Sequence, residues 1–366
     1  MNFLHTAMMR KGSSGILNQM YAEYISAQQL DLPYEVKIFT EDENISKKYL
    51  KILRMYRPIS KNRILRWIEF RKSYYAWLSS QQNEVDAYIL RHSLYDPFQF
   101  YFIKAIKKPV YLVHHTKELD ELKILGLKGK LLSVIENIFG NQSIKISSGI
   151  VAVTNEIIEY EKKRIQNDQK LSILYSNGIL IENTELVDKR NSNVIEMLFV
   201  ASYFYDWHGL DLLIEAVQAN TYDNFLIHIV GEVTQLNKNS IKNDSRFICH
   251  GPLNVKEISE ISQSCTIALG SFALFRKNLY EGSTLKVREY LSFGLPVYSG
   301  HIDVFQKDFP FYAFGNLDIK NILSYAKKMM NYSKNEIRSS SEIYISKQIL
   351  VKNFVNELES NIRVVK

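Results

Sequence analysis

The chain has 366 residues, enough for two domains of ordinary size, and its 46% hydrophobic and 23% charged composition excludes a disordered protein. No apolar run approaches the roughly 20 residues that span a bilayer, and the opening Met1–Lys11 is too short and too soon interrupted for a secretory signal. The net charge of +7 favours anionic partners, and the two cysteines, Cys249 and Cys265, form no metal or redox motif, so a reducing cytoplasm is expected.

Asn2–Met8 reads as a strand, and Lys11-Gly-Ser-Ser-Gly15 opens a helix beginning near Ile16. Gly12 and Gly15 either let backbone approach a phosphate or sugar, or form a plain strand-to-helix turn. Val36–Thr40 and Ala87–Leu90 read as further buried strands. Between them, Ile45–Tyr75 is strongly basic. It carries Lys47, Lys48, Lys51, Arg54, Arg57, Lys61, Arg63, Arg66, Arg71 and Lys72 against the single acid Glu69, interleaved with residues such as Trp67, Phe70, Tyr74 and Tyr75. A basic helix with an aromatic face suits an anionic membrane surface; an ordinary helix with a solvated basic face reads the same way. Nucleic acid is not expected as a partner, because no reader motif is present.

Pro109–Val113 is another strand, ending in His114-His115-Thr116. Ligands of open α/β sheets sit outside the carboxyl ends of strands, so this His pair is either a ligand contact or a hydrogen-bonded loop feature. No Cys or His cluster follows that would make it a zinc site, and Glu118 and Glu121 carry no assigned role. Ser148–Ile157 reads as strand then helix, Ser172–Ile179 as strand and turn, and the polar stretch Glu182–Asn193 as a linker.

The second half opens with the strand Glu196–Ala201, a loop from Ser202 to Trp207, His208-Gly209 and a helix from Leu210 to Val217. Phe225–Val230 with Gly231, Phe247–Pro252 and Thr266–Ser271 follow as strands, and this βαβα order argues a doubly wound sheet. Glu281-Gly-Ser-Thr-Leu-Lys-Val-Arg-Glu289 then runs into Tyr290-Leu-Ser-Phe-Gly-Leu-Pro-Val297. Ser283 is expected to cap a helix of about ten residues that Gly294 and Pro296 end, with Val297-Tyr298 starting a strand. A helix N-terminus is an anion site, and two carboxylates beside it suit the hydroxyls of a sugar nucleotide.

The run Ala273–Val297 resembles the E-x7-E region of family 4 retaining glycosyltransferases, which have the GT-B fold: two Rossmann-like doubly wound domains facing across a cleft. The resemblance implies an acceptor-side domain at 1–185, a nucleotide-sugar-binding domain at 186–345, and a C-terminal helix at 346–366 that crosses back to the first. It also implies that Glu281 lies by the donor sugar, that Glu289 holds the ribose, and that His115, before Thr116, touches the sugar. Gly282, Ser283 and Thr284 would complete the donor loop.

One departure stands out. Many members carry an Arg and a Lys in the first loop of the second domain that clamp the donor diphosphate; Ser202 and His208 occupy those positions here. Arg276, Lys277, Lys286 and Arg288 are the nearby cations left to compensate.

The expected activity is hexosyl transfer from a nucleoside-diphosphate sugar to a glycan or polyprenyl-linked acceptor, in bacterial surface polysaccharide synthesis. The protein would work in the cytoplasm, peripheral on the inner membrane face if residues 45–75 dock there. No D-x-D motif occurs, so no metal or other cofactor is expected. Glu281 is expected to act by position and charge rather than as a general base. The alternatives are another sugar-nucleotide enzyme of this fold, an epimerase or phosphorylase, or a non-catalytic partner subunit with a degraded donor site.

Overall fold

The computed structural model describes residues 1–365 apart from 183, 184, 192, 222 and 223. Packing divides the chain into two compact units, Met1–Ser176 with Lys347–Lys366, and Asn177–Ser346.

In the first unit the strands are β1 (Phe3–Met9), β2 (Tyr34–Thr40), β3 (Leu53–Met55), β4 (Ala87–Arg91), β5 (Val110–His114), β6 (Gly149–Ala152) and β7 (Ser172–Leu174). The helices are α1 (Ser14–Gln29), α2 (Arg63–Ser80), α3 (Pro97–Ala105), α4 (Glu118–Ile124), α5 (Gly126–Ile135), α6 (Asn141–Ile146) and α7 (Asn155–Ile165). The seven strands form one parallel sheet in the order β3-β2-β1-β4-β5-β6-β7. Strand alternation sends Phe3, Ala7, Val36 and Ile89 to one face and Leu4, Phe39, Tyr88 and Leu90 to the other, and both faces are buried. The strand order reverses between β1 and β4, where a doubly wound sheet opens a ligand crevice.

The second unit contains β8 (Ile195–Tyr203), β9 (Phe225–Glu232), β10 (Phe247–Gly251), β11 (Ile267–Leu269), β12 (Val297–Ser299) and β13 (Tyr312–Phe314). Its helices are α8 (Leu210–Gln218), α9 (Gln235–Ile241), α10 (Val255–Ser262), α11 (Leu285–Ser292), α12 (Ile319–Met329) and α13 (Lys334–Ile345). The six strands are parallel in the order β10-β9-β8-β11-β12-β13, so the reversal falls between β8 and β11. The last helix, α14 (Lys347–Val365), belongs to the first unit. There Phe354 stacks on Tyr175 with ring centroids 4.3 Å apart, and the Lys347 ammonium lies 3.6 Å from the buried Glu23 carboxylate.

Several expectations are revised. The change of unit falls at Ser176/Asn177, because Asn177 bonds to Ser283 and Ile179 to Ile345. The stretch expected as a linker includes residues 183, 184 and 192, outside the described residues. Strand β8 runs on through Ser202, which had been placed in a loop, with an irregular register between Val200 and Tyr203. The aromatic side of the basic stretch is largely core: Phe70, Tyr74 and Tyr75 are buried. Arg71 is itself buried, 3.9 Å from the Trp67 ring centre and 3.2 Å from Asp96. What this stretch exposes instead is Leu50, Met55, Ile59, Ile64 and Leu65 among its lysines and arginines. Among the described residues no helix is long and apolar enough to cross a membrane.

Candidate functional site

Helix α11 is eight residues long and begins one residue later than expected. Thr284, not Ser283, is the N-cap, and its side chain makes no capping hydrogen bond. Ser283 is drawn away by Asn177: the Asn177 N–H donates to Ser283 Oγ at 2.9 Å and Asn177 Nδ2 to the Ser283 carbonyl at 2.6 Å. At the other end Gly294 has φ +67°, and a Cβ there would stand 2.4 Å from the Lys334 carbonyl oxygen, so the helix stops where the sequence placed its end.

The inner face of α11 is pinned by charge. Arg288 and Asp303, both fully buried, form a bidentate pair at 2.5 and 2.7 Å, and Arg288 Nε donates to the Asn177 carbonyl at 3.1 Å. Of the cations considered as anion partners, Arg288 is thereby used up. Arg276 is used up too, bonding Asp211 at 2.7 and 3.0 Å and the Asp206 carbonyl at 2.7 Å, beside a cavity of about 490 Å³. Lys277 lies 4.8 Å from the Trp207 ring centre.

Lys286 differs from all of these. Its stem is partly exposed, but its Nζ is enclosed, has no hydrogen-bond partner and lies 5.3 Å from the Phe199 ring centre. Burial pulls the ammonium down to about 7, with the Glu289 carboxylate partly opposing the shift. Burial raises Glu289 in turn, and Lys286 holds it back. Thr284 Oγ1 is also enclosed without a partner, as is His301 Nε2. His301 follows β12 and packs against the loop before α11: a Cβ on Gly282 would come within 3.2 Å of its Nε2. Its Nδ1 lies 2.7 Å from Ser299 Oγ and 3.0 Å from the Ser271 carbonyl, whereas Nε2 has no partner. Buried polar atoms are almost always paired, so the three unpaired atoms on Thr284, Lys286 and His301 make this segment the candidate for a polar ligand.

Glu281 stands at the mouth of the same segment, where Glu281–Gly282 runs beside Ile302 and the Gly282 N–H donates to the Ile302 carbonyl at 2.9 Å. Ser202 is exposed at the end of β8. His208 is half-buried, and its Nδ1 accepts the Tyr205 N–H at 3.1 Å. Burial, Lys286 and Lys277 push it down to about 3, so it is neutral at every working pH. His208 therefore supplies no positive charge in place of the clamping cation that many family members carry there.

In the first unit the Gly12 N–H is committed to Asp42 at 2.8 Å rather than left for an anion, and Gly15 lies in the first turn of α1 with open space around it. His115 follows the end of β5, its N–H donating to Glu118 at 3.0 Å. Burial, then the Arg91 charge, pushes the imidazole well below its ordinary value, so it is a neutral hydrogen-bonding group. Arg91, at the end of β4, and His301 escaped the sequence reading. The available signal for both was position at or just past the carboxyl end of a strand, in Arg91's case a strand at the reversal.

Two groups of described residues place metal-ligating atoms within 4.8 Å of one another: His114, Glu118 and Glu161, and Glu196, His228 and Cys265. Both are occupied by internal pairing. His114 Nδ1 is 3.2 Å from Glu118, Arg164 is 3.1 Å from Glu161, and His228 is 3.0 Å from Glu196. The Cys265 thiol is pushed up to about 12 by burial and keeps its proton.

No protein-family model matches the chain, and no curated protein matches it in sequence. Solved structures do match its fold. The apo lipopolysaccharide outer core galactosyltransferase WaaB superposes with a TM-score of 0.70 at 14% identity, covering 98% of this chain and 99% of that one. A glycosyltransferase from Rickettsia africae ESF-5 gives 0.69 at 13% identity, covering 100% and 99%. HepE from Anabaena, in complex with UDP and glucose, gives 0.64 at 10% identity, covering 98% and 99%. The chain has the two-domain α/β GT-B fold of these proteins.

Replacing Lys286 by methionine removes the unpaired ammonium but keeps the stem, and should stabilise the unliganded protein. An unfolded lysine holds its proton up to about 10.5 and the folded one only to about 7, so wild-type stability falls as pH drops between those values. The thermal-melting advantage of Lys286→Met should be full at about pH 7 and fade towards pH 10.

Proposed function

We propose that the protein is a retaining glycosyltransferase of the family 4 type. It would transfer a hexosyl unit from a nucleoside-diphosphate sugar to a glycan or polyprenyl-linked acceptor of a bacterial surface polysaccharide. The observation that carries this reading is the enclosed, unpartnered Lys286 ammonium at the N-terminus of α11, with Thr284 Oγ1 unpaired beside it and Glu289 one turn further on. Glu281 and Glu289 keep the E-x7-E spacing around that cation. UDP and UDP-glucose are bound by HepE in structures of the same fold, and WaaB is described as a lipopolysaccharide outer core galactosyltransferase.

In this reading the diphosphate lies against Lys286 and the amides that open α11, where charge builds on the leaving group as the glycosidic bond breaks. Preorganised cations and N–H dipoles stabilise that charge without reorganising. Glu289 takes the ribose hydroxyls, and Glu281 faces the sugar and acts by position and charge. His208, neutral and N–H-bearing at Nε2, contributes a hydrogen bond rather than a charge. A second reading, a partner subunit that binds nucleotide without turnover, is favoured by the absence of a cationic side chain at Ser202 and His208.

Calorimetric titration with UDP tests the central assignment. A bound diphosphate favours the Lys286 ammonium and raises its pKa. The binding contribution is therefore complete below about pH 7 and is lost as pH rises above it. Lys286→Met should weaken UDP binding at least tenfold at pH 6.5 and differ little at pH 9; parallel curves for the two proteins would remove Lys286 from the site.

The two glutamates should separate. Glu289→Ala is expected to weaken UDP binding by about 1.5–3 kcal/mol, the worth of hydrogen bonds to a charged group. Glu281→Gln should leave UDP binding nearly intact and depress turnover of the UDP sugar. Equal loss of UDP binding in both variants counts against the roles.

Metal independence is a further expectation. Donor turnover should persist in EDTA, and an activity that EDTA abolishes and Mg²⁺ or Mn²⁺ restores would contradict it.

A further inference from the structure

Helix α5 and the π-helical turn that continues it, Glu136–Gly140, are amphipathic the wrong way round. The face turned into the first unit consists of Gly129, Ser133, Glu136 and Gly140, all buried. The opposite face carries Leu127, Leu131, Val134 and Ile138, which are 85%, 67%, 55% and 55% exposed, and Leu125 just before the helix is 62% exposed. Both sets recur at three- and four-residue intervals, so each is one continuous stripe along the helix.

Polar and steric constraints set this orientation. Glu136 is held inside by His92 Nε2 at 2.9 Å, the Tyr95 N–H at 2.6 Å and the Arg164 guanidinium. Gly129 approaches α4 so closely that a Cβ would stand 1.9 Å from the Leu122 carbonyl oxygen. The leucines are consequently left outward, where water penalises them.

The charges along the stripe have one sign. From residue 122 to residue 140 the only acid is the buried Glu136, while Lys128 and Lys130 are exposed and Lys123, also exposed, pairs with Asp120 of α4 at 2.9 Å. The stripe also continues across a cavity of about 910 Å³, which Leu125 and Lys128 line on one side and Arg63 and Ile64 of α2 on the other. Ile64 and Leu65 are themselves 70% and 53% exposed.

We propose that the α4–α5 corner, with Leu127, Leu131 and Val134 at its tip and Lys128 and Lys130 beside them, is the face by which the first unit docks on an anionic lipid bilayer. The leucines enter the boundary between headgroups and acyl chains, and the lysines reach the phosphates along their own apolar stems. Charge complementarity selects an anionic bilayer over a second copy of this chain, because self-association across the stripe would bring Lys128 and Lys130 of two molecules together. This face is separate from the donor-binding residues, and its test needs neither donor nor turnover, so its failure would leave the transferase reading standing.

The experiment is co-sedimentation of the full chain with vesicles of phosphatidylglycerol and phosphatidylcholine, set against phosphatidylcholine alone. Wild type is expected to bind the anionic vesicles at least tenfold more strongly, and to lose most of that preference in high salt. Leu127→Ser with Leu131→Ser should cost at least tenfold in binding with an unchanged melting temperature, since both side chains are exposed. Lys128→Glu with Lys130→Glu should erase the anionic preference. Leu131→Trp offers a separate readout, with emission moving to the blue on anionic vesicles only. The proposal is overturned if wild type ignores both vesicles, or if the Leu127/Leu131 variant binds as wild type does. It is also overturned if light scattering shows a dimer that this variant dissociates.

Discussion

The buried Arg288–Asp303 pair is the constraint on which the candidate donor site depends. It ties the inner face of α11 to the loop after β12, and through Arg288 Nε to Asn177, where the chain enters the second unit. Removing one member of such a pair leaves an uncompensated buried charge and costs about 3–5 kcal/mol. Because Arg288 is held, the α11 axis is held, and the residues around it inherit their places: Thr284 and Lys286 at its start, Glu289 within it, Glu281 on the loop before it.

The second unit uses its basic residues unequally, and the proposed donor site rests on that inequality. Arg276 and Arg288 are satisfied by carboxylates, and Lys277 lies over an aromatic ring. Lys286 alone among these four is enclosed with nothing to bond. An unpaired ammonium in that position lowers stability, and such a cost is maintained where a ligand offsets it. The neutral state of His208 follows first from its burial, with Lys286 and Lys277 adding to the same effect.

In the first unit a buried polar network has consequences at the surface. His92 and His114 stack with ring centroids 4.7 Å apart, and Glu136, Glu161, Gln99 and Arg164 close the network around them. Drawing Glu136 inward rotates the polar side of α5 into the protein and its leucines out. The apolar face of α5 thus follows from where one carboxylate finds its partners.

The doubly wound architecture was legible in the sequence, since short apolar strands alternating with helices leave a parallel sheet as the compact solution. The end of α11 was legible too, because Gly294 must adopt a positive φ and Pro296 cannot continue a helix. The start of α11 was not: a capping serine is a local signal, and Asn177, more than a hundred residues away, outcompetes it. Nor was the fate of the basic stretch, because the same alternation of Arg and aromatic residues serves a membrane face or a core face. Only packing against Phe39 and Asp96 turned Phe70, Arg71 and Tyr74 inward. The sequence by itself determined which residues bear charge and which segments are strand or helix, because those depend on side-chain chemistry and short-range spacing. Which lysine of several is left unpaired, and which face of α5 meets solvent, was decided by tertiary structure alone, since each depends on partners brought from distant parts of the chain.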